Sequence, residues 1–208
     1  MMMNKKALIG VVLAGGKATR MGNIDKPLEN LSGKPLIQWS LDALQDQVTY
    51  VIISANRNPE KYEYLQRPII ADTSNQYCGP LIGIYSAMLW IEENLTTELP
   101  QNLICLPGDV PVFPASLVGQ LIGEFTDGNY EVVWAECDGQ VQPLFSVWSL
   151  ACKDILKDAI ANGIYGPKLA MPLLKNKLIK VERSSPLDFQ NINDRESLKS
   201  VQEMINQR

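Results

Sequence analysis

The sequence predicts an α/β fold in which helices cover both faces of a mostly parallel β-sheet. Short apolar runs alternate along the chain with longer segments of helical periodicity, which is the pattern of parallel sheets with crossover helices. Residues 136–141 form a short polar turn between two neighbouring apolar runs, which indicates an antiparallel strand pair. The predicted sheet is therefore mixed in its second half.

The predicted elements follow in a regular order. Strands are expected at 7–13, 49–54, 68–71, 102–106, 131–135 and 142–148, and helices at 35–45, 58–65, 80–93, 114–125, 149–162 and 195–206. The last helix follows a candidate N-cap region at Asn193-Asp194. Segment 163–180 is the least regular, since glycines and prolines cluster in it. It is expected to be either a mobile flap or a loop with one helical turn.

Composition limits the classes of protein that the chain can belong to. The 208 residues are 46% hydrophobic and 20% charged, which predicts a single domain, residues 1–208, with its own core. A net charge of −4 argues against a nucleic-acid-binding protein, which carries a basic face. No run approaches the ~20 apolar residues of a membrane span. The apolar run after Asn4-Lys5-Lys6 is interpreted as the first strand rather than a signal peptide, so a cytoplasmic protein is expected.

The chain has four cysteines and no histidine. The absence of histidine excludes Ser-His-Asp and Cys-His catalysis. No CxxC pair is present from which a zinc site could be built. The four cysteines are therefore expected to be reduced thiols of a cytosolic protein: Cys78, Cys105, Cys137 and Cys152.

The loop that follows the first strand carries the strongest functional signal. Its glycines let backbone N–H groups approach an anion, and its cations can neutralise that anion. These residues are Gly15, Gly16, Gly22, Arg20 and Lys26. Their spacing matches neither the Walker A motif nor GxGxxG. A loop of this kind at the carboxyl end of a parallel strand predicts a polyphosphate site.

Polar residues follow three other predicted strands. Asn56, Asp72 and Asp109 each come just after an apolar run, and such strand ends converge on one edge of a parallel sheet. Asp109 suits a Mg²⁺ ligand, or it caps the next helix. Asn56 and Asp72 either hydrogen-bond a base or ribose or cap loops. Their predicted convergence favours a binding site.

Two further motifs are open to more than one interpretation. Gly79-Pro80-Leu81-Ile82-Gly83 opens a helix whose free N–H groups either attract an anion or belong to a turn into a buried helix. Asn191-Ile192-Asn193-Asp194 precedes the last helix. Capping accounts for one asparagine, and the alternating spacing can bring the amide of the other into the cleft.

This set of residues suits the transfer of a nucleotidyl group. A phosphate oxygen of the acceptor would attack the α-phosphate of a nucleoside triphosphate, and pyrophosphate would leave. The reaction needs positioning, a metal ion and cations on the leaving phosphates, and it needs no protein nucleophile.

Taken in series, the motifs resemble those of the molybdenum cofactor guanylyltransferases, a MobA-like nucleotidyltransferase family. They are Leu13-Ala14-Gly15-Gly16, Arg20-Met21-Gly22, Asp25-Lys26, Leu31-Ser32-Gly33-Lys34-Pro35-Leu36, Ser54-Ala55-Asn56-Arg57, Ala71-Asp72-Thr73, Gly79-Pro80-Leu81-Ile82-Gly83, Pro107-Gly108-Asp109-Val110-Pro111, Gln142-Pro143-Leu144 and Asn191-Ile192-Asn193. The resemblance spans nearly the whole chain. It implies one three-layer domain of Rossmann-like, GT-A-like architecture, in which residues 1–110 bind nucleotide and 111–208 form the acceptor side.

The implied reaction moves GMP from GTP to the phosphate of molybdopterin that carries molybdenum. Mg²⁺ is the implied cofactor, and transient protein partners would serve in cofactor delivery. The resemblance places Arg20, Lys26 and Asp109 in catalysis, Asp109 also on the metal, and Asn191 and Asn193 on the acceptor side or near the metal. The implied nucleotide contacts are Leu13, Ala14, Gly15, Gly16, Gly22, Lys26, Asn56, Asp72, Gly79 and Asp109.

The chain also departs from the family pattern. Asn23 replaces a common glycine, Gly108 a common cysteine and Gln142 a histidine of some members, and residues 163–172 match less well. Two alternatives stay open: a cytidylyltransferase or sugar-phosphate nucleotidyltransferase, and a paralogue without activity. Leu-Ala-Gly-Gly, where such relatives often have Leu-Ala-Ala-Gly, favours GTP. The presence of Arg20, Lys26 and Asp109 argues against an inactive paralogue.

Overall fold

A computed structural model describes residues 8–15, 25–73, 79–95 and 102–206. The strands are β1 (Leu8–Leu13), β2 (Asn30–Leu31), β3 (Lys34–Pro35), β4 (Tyr50–Ser54), β5 (Ile69–Ile70), β6 (Asn102–Pro107), β7 (Val132–Cys137), β8 (Gln140–Ser149) and β9 (Asn176–Lys180). Strands β2 and β3 form a small hairpin of their own. The other seven form one sheet in the order β5-β4-β1-β6-β8-β7-β9.

Helices and 3₁₀ turns connect these strands. The α-helices are α1 (Leu36–Leu44), α2 (Pro80–Asn94), α3 (Leu117–Asp127), α4 (Lys153–Ala161), α5 (Pro167–Ala170) and α6 (Arg195–Asn206). The 3₁₀ segments are Lys26–Leu28, Pro59–Leu65, Leu150–Cys152 and Met171–Leu173.

Strand β1 lies at the centre of the parallel part of the sheet. It pairs in parallel with β4 on one side and with β6 on the other, and β5 continues the parallel order beyond β4. All six residues of β1 are buried, as expected of a strand that is covered on both faces. The prediction of a mostly parallel sheet is confirmed.

The alternating side chains of β1 contribute to two separate cores. Leu8 and Val12 pack with the apolar residues of α1 and α3 on one face of the sheet. Ile9 and Val11 pack with α2 and α4 on the other face. Successive side chains of a strand point to opposite faces, so the helices form layers on both sides, as the sequence predicts.

The second half of the sheet is mixed, as predicted. Strand β8 pairs antiparallel with both β6 and β7. The turn between β7 and β8 is made by Asp138 (φ 51°) and Gly139 (φ 75°), two left-handed residues that suit a tight hairpin. The pairing shifts from Trp134–Ser146 to Ala135–Gln142, so residues 143–145 bulge out of the ladder.

Two parts of the fold were not predicted. Strand β9 pairs in parallel with β7 at the end of segment 163–180, and the β2–β3 hairpin precedes α1. The same segment contains α5 and a 3₁₀ turn, which confirms a loop with a helical turn. The predicted helix at 58–65 is a 3₁₀ helix, and the one at 149–162 divides into a 3₁₀ turn and α4.

Three of the four cysteines can be described. Cys105, Cys137 and Cys152 are buried free thiols, and Cys78 lies outside the described residues. Burial raises the pKa of Cys152 to about 12, and nearby Glu131 adds to the effect. This thiol therefore stays protonated at neutral pH. Within the described ranges, no helix is long and apolar enough to cross a membrane.

Helix α6 is attached to the β2–β3 hairpin. The Ser32 N–H donates to Gln202 Oε1 at 2.6 Å, and Gln202 Nε2 donates to Ser32 Oγ at 2.8 Å. Leu31 and Leu36 pack with Ile192 and Val201 in a small core beside these bonds. The segment that leads into α6 is thereby held against the first half of the chain.

The loop before α5 packs against the start of α2 through its backbone. Gly79 has φ 148°, and a Cβ atom there would lie 2.5 Å from the Tyr165 carbonyl oxygen. The same oxygen accepts a hydrogen bond from the Leu81 N–H at 3.0 Å. Only glycine allows this approach.

We expect Gly79→Ala to lower the free energy of unfolding by about 2–3 kcal/mol, because the added methyl group forces two backbone segments apart. Urea denaturation measures this change. Gly123→Ala is the matched control: no atom lies within 4 Å of a Cβ at Gly123 in α3, so it should be neutral or stabilising. Equal stability of the two variants would contradict the packing described for Tyr165.

Candidate functional site

The candidate site lies at the carboxyl edge of the parallel strands. Two backbone hydrogen bonds align the strand ends: the Ala14 N–H donates to the Ser54 carbonyl at 2.8 Å, and the Gly108 N–H donates to the Leu13 carbonyl at 2.9 Å. The residues that follow β4, β1 and β6 therefore leave the sheet side by side. The structure brings these segments together as the sequence predicts.

Asn56 and Asp72 form a reciprocal pair beyond β4 and β5. Asn56 Nδ2 donates to Asp72 Oδ2 at 2.6 Å, and the Asp72 N–H donates to Asn56 Oδ1 at 2.6 Å. Burial raises the pKa of the Asp72 carboxyl, and hydrogen bonds from Asn56 and Ser54 oppose that rise. The pair fixes the orientation of both side chains in advance of any ligand.

Gly15 lies against this pair. A Cβ atom at Gly15 would come within 3.3 Å of Asn56 Nδ2. Leu13 and Ala14, which precede Gly15, are largely buried at the end of β1. The backbone of this segment therefore passes close to the Asn56 amide, where a nucleoside could contact both.

Asp109 stands at the end of β6 on a firmly held backbone. The buried Ser40 hydroxyl donates to the Pro107 carbonyl at 2.7 Å, and this bond fixes the end of β6 to α1. Burial raises the pKa of the Asp109 carboxyl, while the positive charge of Lys26 and the Asp109 backbone N–H oppose that rise. The carboxylate is thus partly desolvated and lies near a cation.

Lys26 and Asn193 meet beside Asp109. Lys26 Nζ donates to Asn193 Oδ1 at 3.2 Å. The segment that carries Asn193 runs along the residues after β6: the Ile192 N–H donates to the Asp109 carbonyl at 3.0 Å, and the Phe189 N–H donates to the Val112 carbonyl at 2.9 Å. The structure therefore joins three of the predicted site residues, which come from distant parts of the chain.

Asn191 lies on the same segment. Ile192 is fully buried, and Asn191 and Asn193 on either side of it are exposed. Only Asn193 is seen to hydrogen-bond Lys26. Asn191 is placed near the site, and its role remains a prediction.

The start of α2 is occupied by groups of the protein itself. Pro80 has no N–H, the Leu81 N–H donates to the Tyr165 carbonyl, and the Ile82 N–H donates to the Gly79 carbonyl at 3.3 Å. This arrangement favours the turn into a buried helix over an anion site. Gly79 is a packing position here, and its contact with nucleotide remains a prediction.

Three of the predicted site residues lie outside the part of the chain that the structure describes. They are Gly16, Arg20 and Gly22, and their roles remain predictions. The same holds for the part of the glycine-rich loop between Gly15 and Asp25.

The structure adds a buried carboxylate for which sequence analysis gave no role. Asp25 Oδ2 accepts hydrogen bonds from Asn58 Nδ2 at 2.8 Å and from Lys61 Nζ at 3.0 Å. The signals in the sequence were its position directly before Lys26 and its place in the Asp25-Lys26 motif of the family resemblance. The two donors lie more than thirty residues along the chain, and no local pattern links them to Asp25.

The arrangement suits binding of a nucleoside polyphosphate. Lys26 supplies a cation, the Asn56–Asp72 pair supplies fixed polar groups, and Asp109 supplies one carboxylate. No group of three or more Cys, Asp or Glu side chains that could hold a metal alone occurs in the part of the chain that the structure describes. Asp109 is a single carboxylate, and Mg²⁺ commonly binds few carboxylates and fills its other positions with phosphate oxygens and water.

Comparison with known sequences gives consistent results. A family model for MobA-like NTP transferase domains matches residues 10–175. The chain is 32% identical over 188 residues to the molybdenum cofactor guanylyltransferase of Yersinia pestis (strain Pestoides F). The aligned region covers 89% of this chain and 90% of that protein. It is 35% identical over 156 residues to the protein of the same name from Serratia proteamaculans (strain 568), 75% of each chain.

Comparison with solved structures shows the fold. Molybdopterin-guanine dinucleotide biosynthesis protein A from Archaeoglobus fulgidus superposes with a TM-score of 0.73 at 21% identity, over 96% of this chain and 100% of that one. CMP:2-keto-3-deoxy-manno-octonic acid synthetase, complexed with CTP, superposes with a TM-score of 0.72 at 15% identity, over 97% and 99%. The predicted nucleotidyltransferase architecture is confirmed.

We expect Asp109→Asn to stabilise the ligand-free protein at pH 7 by about 0.5–2 kcal/mol, the usual size of a favourable substitution. Burial raises the carboxyl pKa above its ordinary value of 3.8, so the folded state is most stable with this group protonated and loses stability as the pH rises through the folded-state pKa. The amide removes that loss. Thermal unfolding at several pH values measures it.

The gain should shrink as the pH approaches 3.8, because the wild-type carboxyl is then protonated as well. Asp158→Asn, which removes an exposed carboxylate of α4, is the control for the loss of one negative charge at the surface. A destabilised Asp109→Asn protein at pH 7 would contradict the electrostatic argument.

Proposed function

Because the chain belongs to the MobA-like NTP transferase family and is a nucleotidyltransferase, we propose that it moves GMP from GTP to the phosphate of molybdopterin carrying molybdenum. The products would be the guanine dinucleotide form of the cofactor and pyrophosphate. The observation that carries the proposal is the meeting of Lys26, Asp109 and Asn193 at the sheet edge that also holds the Asn56–Asp72 pair. The two relatives named molybdenum cofactor guanylyltransferase support the choice of substrates.

The nucleoside would bind between Gly15 and the Asn56–Asp72 pair. Asn56 and Asp72 hold each other in one orientation, so little conformational entropy is lost when they bind a ligand. The lack of a side chain at Gly15 lets a flat base approach the backbone beside Asn56. The Leu-Ala-Gly-Gly sequence supports guanine as that base.

Lys26 would bind the β- and γ-phosphates, which leave as pyrophosphate. In the ligand-free protein its ammonium group is held by Asn193 Oδ1, a neutral acceptor. A neutral partner orients the ammonium without cancelling its charge. The Lys26 charge, which also acts on the nearby Asp109 carboxyl, can then stabilise the leaving group as negative charge develops on it.

Asp109 fits a role in holding Mg²⁺ together with the triphosphate. It is the carboxyl group at the end of β6. Burial raises its pKa, the positive charge of Lys26 opposes that rise, and a bound cation would favour the ionised form in the same way. Bound Mg²⁺ would neutralise charge on the phosphates. Asp109 would orient the α-phosphate for attack by the acceptor, and no covalent intermediate with the protein is needed.

The acceptor would bind on the side formed by residues 111–208. The bulge at 143–145 disrupts the β8 ladder near the predicted Gln142-Pro143-Leu144 motif. Asn191 is exposed, and the next residue, Ile192, donates its N–H to the Asp109 carbonyl. These features support an acceptor site opposite the nucleotide, with residues 1–110 as the nucleotide side.

We expect GTP with Mg²⁺ to raise the melting temperature more than CTP, ATP or UTP, because only a ligand that binds the native state stabilises it. At a free ligand concentration of about 100 times Kd, the free energy of unfolding would rise by ~2.7 kcal/mol. A scanning thermal-shift assay with the four triphosphates measures it. Release of pyrophosphate from GTP in the presence of molybdopterin carrying molybdenum then tests the reaction.

A preference for CTP in both assays would favour the cytidylyltransferase alternative. Stabilisation by none of the four nucleotides would favour a paralogue without activity.

We expect Lys26→Met to raise KM for GTP and to lower kcat about a hundredfold, because a preorganised positive charge on the leaving phosphates is lost. Steady-state kinetics of pyrophosphate release measure both constants. Lys157→Met, which removes an exposed lysine of α4, is the control and should retain wild-type constants. If Lys26→Met behaves like this control, Lys26 does not act on the phosphates.

A further inference from the structure

Asp25 is a buried carboxylate with two strong partners. Only 6% of its side chain is exposed, whereas the side chain of its partner Lys61 is 51% exposed. Both Asn58 Nδ2 (2.8 Å) and Lys61 Nζ (3.0 Å) donate to the same oxygen, Oδ2. Burying a carboxylate costs free energy unless hydrogen bonds and an ion pair offset the loss of water. Asn58 and Lys61 supply these contacts, so the Asp25 side chain is held in this position.

The backbone contacts of Asp25 fix the position of the Lys26 backbone. The Asp25 carbonyl accepts a hydrogen bond from the Leu28 N–H at 2.9 Å, which closes the 3₁₀ turn over Lys26–Leu28. Pro27 within that turn is buried, and its ring fixes φ. The backbone of Lys26 is thus fixed by an anchored residue before it and a buried residue after it.

The same contacts keep the charge of Lys26 available. Asp25 precedes Lys26 directly and would be the simplest partner to neutralise it. Its carboxylate is instead paired with Lys61, and the Lys26 ammonium reaches Asn193 Oδ1. Lys61 therefore balances the buried charge of Asp25, and Lys26 is not neutralised by the carboxylate next to it in sequence.

The anchor belongs to the segment that also carries the nucleoside pair. Asn58 lies two residues after Asn56 and has a left-handed backbone with φ 45°. Asn56 in turn is bonded to Asp72. The Asp25–Asn58 bond thus fixes the position of Lys26 relative to the Asn56–Asp72 pair.

We propose that Asp25, bonded to Asn58 and Lys61, is a positioning residue that holds Lys26 where the β- and γ-phosphates of the nucleotide bind. The inference rests on the proposed function in that its ligand is a nucleoside triphosphate. Asp25 acts through Lys26 and touches no reacting atom itself. Its loss should therefore weaken the binding of a triphosphate more than that of a monophosphate.

Three variants test the inference. Asn58→Gly removes the donated hydrogen bond and keeps the left-handed backbone, which glycine adopts freely. Lys61→Met removes the balancing charge at a half-exposed position, and Lys61→Arg should restore it. Gln66→Gly is the matched control, because Gln66 is an exposed left-handed residue (φ 53°) at the other end of the same 3₁₀ helix.

The measurement is the Kd of GTP and of GMP by isothermal titration calorimetry, with Tm recorded for each protein. For Asn58→Gly and Lys61→Met we expect the Kd of GTP to rise about tenfold, the size of one hydrogen bond to a charged group, and that of GMP by less than about twofold. Lys61→Arg and Gln66→Gly should match the wild type. KM for GTP should rise in parallel with Kd.

Equal losses for GTP and GMP would overturn the proposal, because they would show a general structural effect. An unchanged Kd for GTP in Asn58→Gly and Lys61→Met would overturn it too. If the wild type binds CTP rather than GTP, the proposed function is wrong, and the CTP and CMP pair supplies the same comparison. If the wild type binds no nucleoside triphosphate, both proposals are overturned.

Discussion

The candidate site depends on the parallel pairing of β1 with β4 and β6. These pairings put three strand ends in one row, and the hydrogen bonds from Ala14 to Ser54 and from Gly108 to Leu13 extend the alignment by one residue beyond β1. The polar residues that follow these strands therefore lie at the same edge of the sheet. A shift of register in either strand pairing would move Asp109 away from the Asn56–Asp72 pair. The geometry of the site is therefore set by the packing of the buried sheet.

Most of the polar side chains at this edge are oriented by hydrogen bonds with other polar side chains of the protein. Asn56 orients Asp72, Asn193 orients Lys26, and Lys61 balances Asp25. Two carboxylates, Asp72 and Asp109, are nonetheless held with pKa values raised by burial. The protein thus keeps a partly desolvated, preorganised site at some cost to its own stability, which is a common condition of binding and catalytic sites.

Much of this arrangement could be predicted from sequence, and the exceptions have two causes. Strands such as β1 and β6 are continuous apolar runs, and Asp109 could be placed because it directly follows one of them. Strand β9 was missed because only Ile179 of its five residues is buried, so an edge strand resembles a polar loop. The Asp25–Lys61 pair and the Gly79–Tyr165 contact join residues far apart in the chain, and only the folded arrangement shows them.

The contact between Lys26 and Asn193 joins residues separated by 167 positions, and the Ser32–Gln202 bonds that hold the same region span 170. Contacts of such long sequence separation form late in folding, after the local elements are in place. During synthesis, the loops after β4, β5 and β6, which carry Asn56, Asp72 and Asp109, leave the ribosome well before Asn193 does. A nascent chain can therefore pair β1 with β4 and β6 while Lys26 still lacks Asn193, and the Lys26–Asn193 contact forms only once the segment that precedes α6 has been made.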